Sequence, residues 1–248
     1  MTPLRRLILP LLLALAALNP GCAGRLLTPR TEALRTVHDN YQREFAELNL
    51  PSASAEPAAP SSTNAPPFTA TLSAIRAFRL AYPGDSSEAA HLKVLEGMVY
   101  LQSGRFGLAT AVAPDVQAAG AQLRSQTGRV VRDALFARNF TALLKGWSEI
   151  REFADGSSST VAEWRELDRA AQAIKADLES IPASQLADPD TDQGALYLAN
   201  TAAIFNVWAF KLLADEDLNA ARQRQAAWFG GSADLLGRFL TDAEKRDV

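Results

Sequence analysis

One cysteine and two histidines in 248 residues leave little material for thiol, metal or imidazole chemistry. A lone thiol closes no internal disulfide, so packing alone must hold the fold. The histidines, His38 and His91, fall in different segments, which argues against a His-based zinc site and a conventional catalytic triad. There is no Gly-rich phosphate loop and no Ser-x-x-Lys. Carboxylate pairs such as Glu149 and Glu152 are too ordinary on helices to mark a site. Strand signals are scarce too: β-branched runs are few, and no Asn-Gly or Asp-Gly turn separates alternating segments. Basic residues are not in excess, with a net charge of −3, whereas nucleic-acid readers are usually basic on one face. These shortages predict an all-α, non-catalytic protein with no cofactor and no nucleic-acid partner.

What is present begins at the N-terminus. Arg5 and Arg6 precede an apolar run from Leu7 to Leu18, and the small residue Gly21 stands directly before Cys22. This is the layout of a secretory signal. The run is well short of the roughly 20 residues that span a bilayer. An exported chain that keeps its one cysteine immediately after the cleavage site resembles a bacterial lipoprotein. That resemblance implies removal of residues 1–21 and acylation of Cys22, with palmitate-type chains as the membrane anchor. Residue 23 is Ala rather than Asp, which by the same resemblance implies the outer membrane, facing the periplasm. The alternative is an ordinary secreted or periplasmic soluble protein with an incidental cysteine. Cleavage removes two arginines and no acid, leaving 23 basic against 28 acidic side chains, a net charge of −5.

Residues 22–50 hold the anchor cysteine and one amphipathic helix. Leu34, Val37, Tyr41, Phe45 and Leu48 recur at spacings of three and four, with Thr28-Pro29 as an N-cap followed by proline at the first helical position. The opposite face is charged, so the helix must lean on the main domain or on a partner. Residues 51–67 contain five prolines, five alanines and four serines. Such a segment buries too little to offset its ordering entropy and reads as a disordered linker, a tether between membrane and domain. Residues 68–248 read as one helical domain. Asp85-Ser86-Ser87-Glu88 and Thr160-Val161-Ala162-Glu163 look like capping boxes, and Gly104 and Pro182 stop helices. Val131, Leu135, Phe136, Phe140, Leu143, Trp147 and Ile150 share one face, as do Trp164, Leu167, Ile174, Leu178 and Ile181. The most apolar helix runs from Gly194 to Asp215, followed by two shorter ones broken at Gly230-Gly231.

The stretch Ile75–Ala109 carries a small residue, Gly97, then an aromatic, Tyr100. A turn glycine, Gly104, an aromatic opening the next helix, Phe106, and a packing alanine, Ala109, follow. This pattern resembles a tetratricopeptide repeat. The lead-in Phe78–Pro83 resembles the end of a preceding repeat, as in the lipoprotein subunit of the outer-membrane β-barrel assembly machine. Pro114 is expected to interrupt the second helix, and no regular period continues, so an irregular helical bundle is expected after residue 125. Stacks of such repeats form surfaces that bind proteins, so the resemblance implies interaction. In it Tyr100 and Phe106 hold the hairpin together.

Other features have plainer readings. Asp188, Asp190 and Asp192 alternate as Ca²⁺ ligands can, but an EF-hand spacing puts Gln193 and Ala199 where Gly and Glu are needed. The preferred reading is a loop whose last Asp caps the next helix. Ala195–Ala214, with Lys211 its only charge, reads as a central core helix. Trp147, Trp164, Trp208 and Trp228 read as core, with a ligand groove as the alternative. Six basic residues against two acids from Gly104 to Lys145, then four against eleven from Ser148 to Asp192, read as two solvated faces. The expectation for function is a membrane-anchored lipoprotein presenting a helical surface to other envelope proteins. The runner-up is a periplasm-facing protein that binds a small ligand in an aromatic-lined pocket.

Overall fold

The computed structural model describes residues 28–49, 66–128, 130–154 and 163–228. The signal segment, Cys22, most of the Pro/Ala/Ser segment, Thr160-Val161-Ala162 and the chain beyond 228 lie outside the described residues. Among the described residues every regular element is a helix and none is a strand, as the missing hairpin turns and β-branched runs predict. In chain order they are α1 (Pro29–Asn49), α2 (Thr69–Ala81), α3 (Ser87–Gln102), α4 (Phe106–Thr127) and α5 (Arg132–Ala154). Then come α6 (Glu163–Glu179), the short α7 (Ala183–Leu186), α8 (Pro189–Glu216) and α9 (218–228).

The ends follow local chemistry. Thr28 Oγ1 accepts from the Thr31 amide at 3.2 Å ahead of Pro29, and Ser86 Oγ accepts from the Ala89 amide at 3.2 Å. Gly104 ends the α3 turn at φ +71°, a left-handed conformation that disfavours any side chain. Asp188-Pro189 repeats the Thr28-Pro29 device. Its carboxylate accepts from the amides of Asp190 and Thr191, so α8 starts five residues before Gly194, the expected start. The cap is therefore Asp188, not Asp192. Asp190 and Asp192 lie in the first turn, where they favour the helix dipole.

Pro114 does not interrupt α4. It sits exposed inside an unbroken helix that continues to Thr127. The carbonyl it deprives of a partner belongs to Thr110, which also faces solvent, so water can take the bond that the missing N–H would have made.

Consecutive helices pack as antiparallel hairpins: α1 with α2, α3 with α4, α4 with α5, α5 with α6. α8 then packs on both α6 and α5. One core runs from Phe68 to Trp228, with Phe140, Phe205, Leu143 and Ile174 fully enclosed. A smaller cluster of Val37, Ile75, Phe78 and Leu92 seats α1 against α2 and α3. The amphipathic helix thus leans on its own domain, and the packed unit includes α1 as well as residues from 68 onward. Two crossings depend on glycine. A Cβ at Gly97 would lie 2.5 Å from Val116 Cγ2 and 3.0 Å from the Phe140 ring, and one at Gly146 would lie 2.2 Å from the Phe205 ring.

Candidate functional site

The five hairpin residues gather where α3 turns into α4. Gly97 lies at the crossing against Val116, and Ala109 is wholly buried. Tyr100 is buried and its hydroxyl donates to Glu96 Oε1 at 3.1 Å. Burial, then the Glu96 charge, raises its pKa. Phe106 opens α4 half-buried beside the Gly104 turn. Gly97 and Ala109 lie at the helix crossing, and Gly104 makes the turn between the two helices. The pair from Ser87 to Thr127 is nevertheless longer than a tetratricopeptide unit of about 34 residues, because α4 runs on through Pro114.

A polar junction that the sequence did not suggest joins three helices at the start of α5. His91 Nδ1 on α3 lies 2.6 Å from Asp133 Oδ2. Asp133 is 3.6 Å from Arg132 Nε, which is also 3.6 Å from Asp190 Oδ1 of α8. The Arg132 amide donates to Asp190 Oδ2 at 3.1 Å. The Asp133 hydrogen bond pushes the His91 pKa up, whereas burial pushes that of His38 on α1 down, with Asp133, Arg132 and His91 all close enough to act on it. The two histidines, separate in sequence, are therefore electrostatic neighbours in the fold. Among the described residues no group of three His, Cys, Asp or Glu side chains could hold a metal ion. Asp190 is engaged with Arg132 while Asp188 caps α8, so the alternating aspartates serve helix geometry. The uneven charge distribution also pairs across helices, with Arg138 of α5 bonded to Asp177 of α6.

The tryptophans collect in the lobe built from the second half of α5, α6, α8 and α9. Trp164 and Trp228 are buried. Trp147 meets Phe205 edge-on at 5.4 Å, and Trp208 meets Phe153 at 5.3 Å. The Arg224 guanidinium lies 4.8 Å over Trp164 and pairs with the buried Asp168. Beside them is a cavity of about 10 Å³, lined by Trp164, Asp168, Asn206 and Gln225 among others. The Trp164 indole N–H, buried there, has no protein acceptor among the described residues. That space suits one water molecule; a small-ligand pocket needs roughly 300–1,000 Å³.

α8 is a core helix on one side only. Ala195, Leu198, Ala202, Phe205, Ala209 and Leu212 face inward. Leu196, Asn200, Ala203 and Val207, at i, i+4, i+7 and i+11, follow one outward stripe. Leu196 is 44% and Val207 57% exposed. Length and composition alone would let α8 cross a membrane, but half of that window is buried inside the bundle. No family model, curated protein or solved structure matches this chain.

Proposed function

We propose that the protein is a non-catalytic lipoprotein, anchored through acylated Cys22 to the periplasmic face of the outer membrane, that presents a helical surface to other envelope proteins. The observation that carries the reading is the outward stripe of α8. The most apolar helix of the bundle leaves Leu196 and Val207 exposed on one outward line over three turns, with half-buried Asn200 and Ala203 between them. Large apolar side chains left open along one side of a helix suit an interaction surface. The α3–α4 hairpin supports the same reading through its tetratricopeptide-like turn, and the one-water size of the Trp164 cavity speaks against a ligand at that place. The anchor is tested by Cys22→Ser: the variant should move from the membrane fraction to the soluble periplasm. The interaction is tested by crosslinking in cells. Envelope proteins recovered with the full-length protein and lost with Cys22→Ser support it. Recovery of none above that control overturns it.

A further inference from the structure

We infer that the pole of the bundle formed by the start of α1, the α2–α3 turn and the first turn of α3 rests on the lipid headgroup layer. The helices on either side of the Pro/Ala/Ser segment are packed together, so that segment adds no reach between anchor and bundle. The inference deepens the proposed function and rests on lipid attachment at Cys22.

Chain length sets the geometry. Six Cα steps separate Cys22 from Thr28, at most about 21 Å even when fully extended. Thr28 is held to the bundle, because α1 is pinned at its first turn. Arg30 Nη2 donates to Ser86 Oγ at 2.7 Å and to Glu88 Oε2 at 3.0 Å, and its guanidinium lies 5.8 Å over the Tyr82 ring. A lipid on Cys22 therefore brings the α2–α3 turn to the membrane. Were residues 51–67 the tether, their 17 residues would add up to about 60 Å of reach. They add none, because the helices on both sides of them are packed together. Farther along α1, Glu44 accepts from the Ala70 and Thr71 amides at 3.0 and 2.9 Å. Tyr41 bonds Gln102 at the far end of α3. With about 1.5 Å per residue, the 21 residues of α1 carry the start of the segment about 30 Å from Thr28.

The proximal pole has a surface suited to lipid. Leu80, in the last turn of α2, is 85% exposed, more than any other large apolar side chain among the described residues. Exposed Ala81 and Pro83 follow it, flanking half-buried Tyr82. A single exposed leucine means little by itself; this one sits beside the point where the anchored chain enters the fold. Arg30 is neutralised by Glu88, and Glu32 and Asp85 are acidic and exposed. The contact is therefore made by the acyl chains and apolar side chains, not by attraction to anionic lipid.

The test uses the full-length acylated protein in vesicles of phosphatidylethanolamine and phosphatidylglycerol containing a headgroup-linked quencher. With Cys22 acylated, an introduced cysteine is the only free thiol for a fluorophore. A label at Asp85→Cys should be quenched several-fold more than one at Gly107→Cys, beside the far turn, and added salt should not abolish the difference. A ten-residue Gly/Ser insert between Ala23 and Thr28 should relieve quenching at position 85, whereas the same insert within residues 51–67 should leave it unchanged. Equal quenching at both positions, or relief by the 51–67 insert, overturns the orientation while the lipid reading stands. If the protein carries no acyl mass and does not sediment with vesicles, the lipid reading fails and the orientation falls with it.

Discussion

His91 and Asp133 show how one contact can set a pH dependence. The hydrogen bond to Asp133 holds the His91 pKa above its ordinary 6.5. Its stabilisation is complete below about pH 6.5 and is lost as pH rises through the raised value. His38, lowered by burial, works in the opposite sense, so the effect is read as a difference between variants. The loss in urea-unfolding stability caused by His91→Ala should be larger at pH 5.5 than at pH 8.5. It should stay below about 1 kcal/mol, because the His91 side chain is 43% exposed and screened; equal losses at both values would contradict the assignment. Glu44 has the larger effect. Its carboxylate caps α2 in place of Phe68, which occupies the N-cap position with φ 62° and no side-chain bond of its own. Glu44→Ala should lower stability by about 1–2 kcal/mol, measured by the same unfolding. Neither pairing can be read from the sequence, because the partners lie on other helices and no local spacing reveals them.

Among the elements, helix existence is legible in the sequence and helix ends less so. The three- and four-residue spacing of Val131 through Ile150 marks α5, and Ser86 marks the start of α3. Asp188-Pro189 carries the same signal as Thr28-Pro29, but the alternating aspartates point to metal ligation as readily as to a cap. Pro114 misleads because the cost of proline inside a helix depends on whether the freed carbonyl faces water, which sequence does not state. Glycine roles diverge in the same way. Gly97→Ala and Gly146→Ala gain helix propensity of about 1 kcal/mol, yet their Cβ atoms would collide with Val116 and Phe205. Both should be destabilising on balance, by about 1–3 kcal/mol. At Gly107, in the first turn of α4, an added methyl meets nothing, so Gly107→Ala should instead gain about 0.5–1 kcal/mol. Thermal unfolding of the three variants separates crossing glycines from incidental ones; three shifts of one sign would refute these packing roles.

For the whole molecule, the helical class follows from what the composition lacks, but the organisation does not. The Pro/Ala/Ser segment looks like a boundary because composition changes there, whereas the apolar face of α1 finds Ile75, Phe78 and Leu92 on the far side of it. If Cys22 carries lipid as proposed, the bundle is held close to its anchor rather than on a long tether. The proposed interaction surface is hidden from sequence for a related reason. α8 is apolar nearly all round, so its buried and open sides become distinct only when α5, α6 and α9 cover one of them. If the open side meets another envelope protein, site-specific photocrosslinking in living cells will capture it. A crosslinker at Val207 of the acylated protein should give a discrete adduct with an envelope protein, abolished by Leu196→Asp and absent from a crosslinker at exposed Gln172 on α6. No adduct at Val207, or the same adducts from both positions, would contradict the proposed interface.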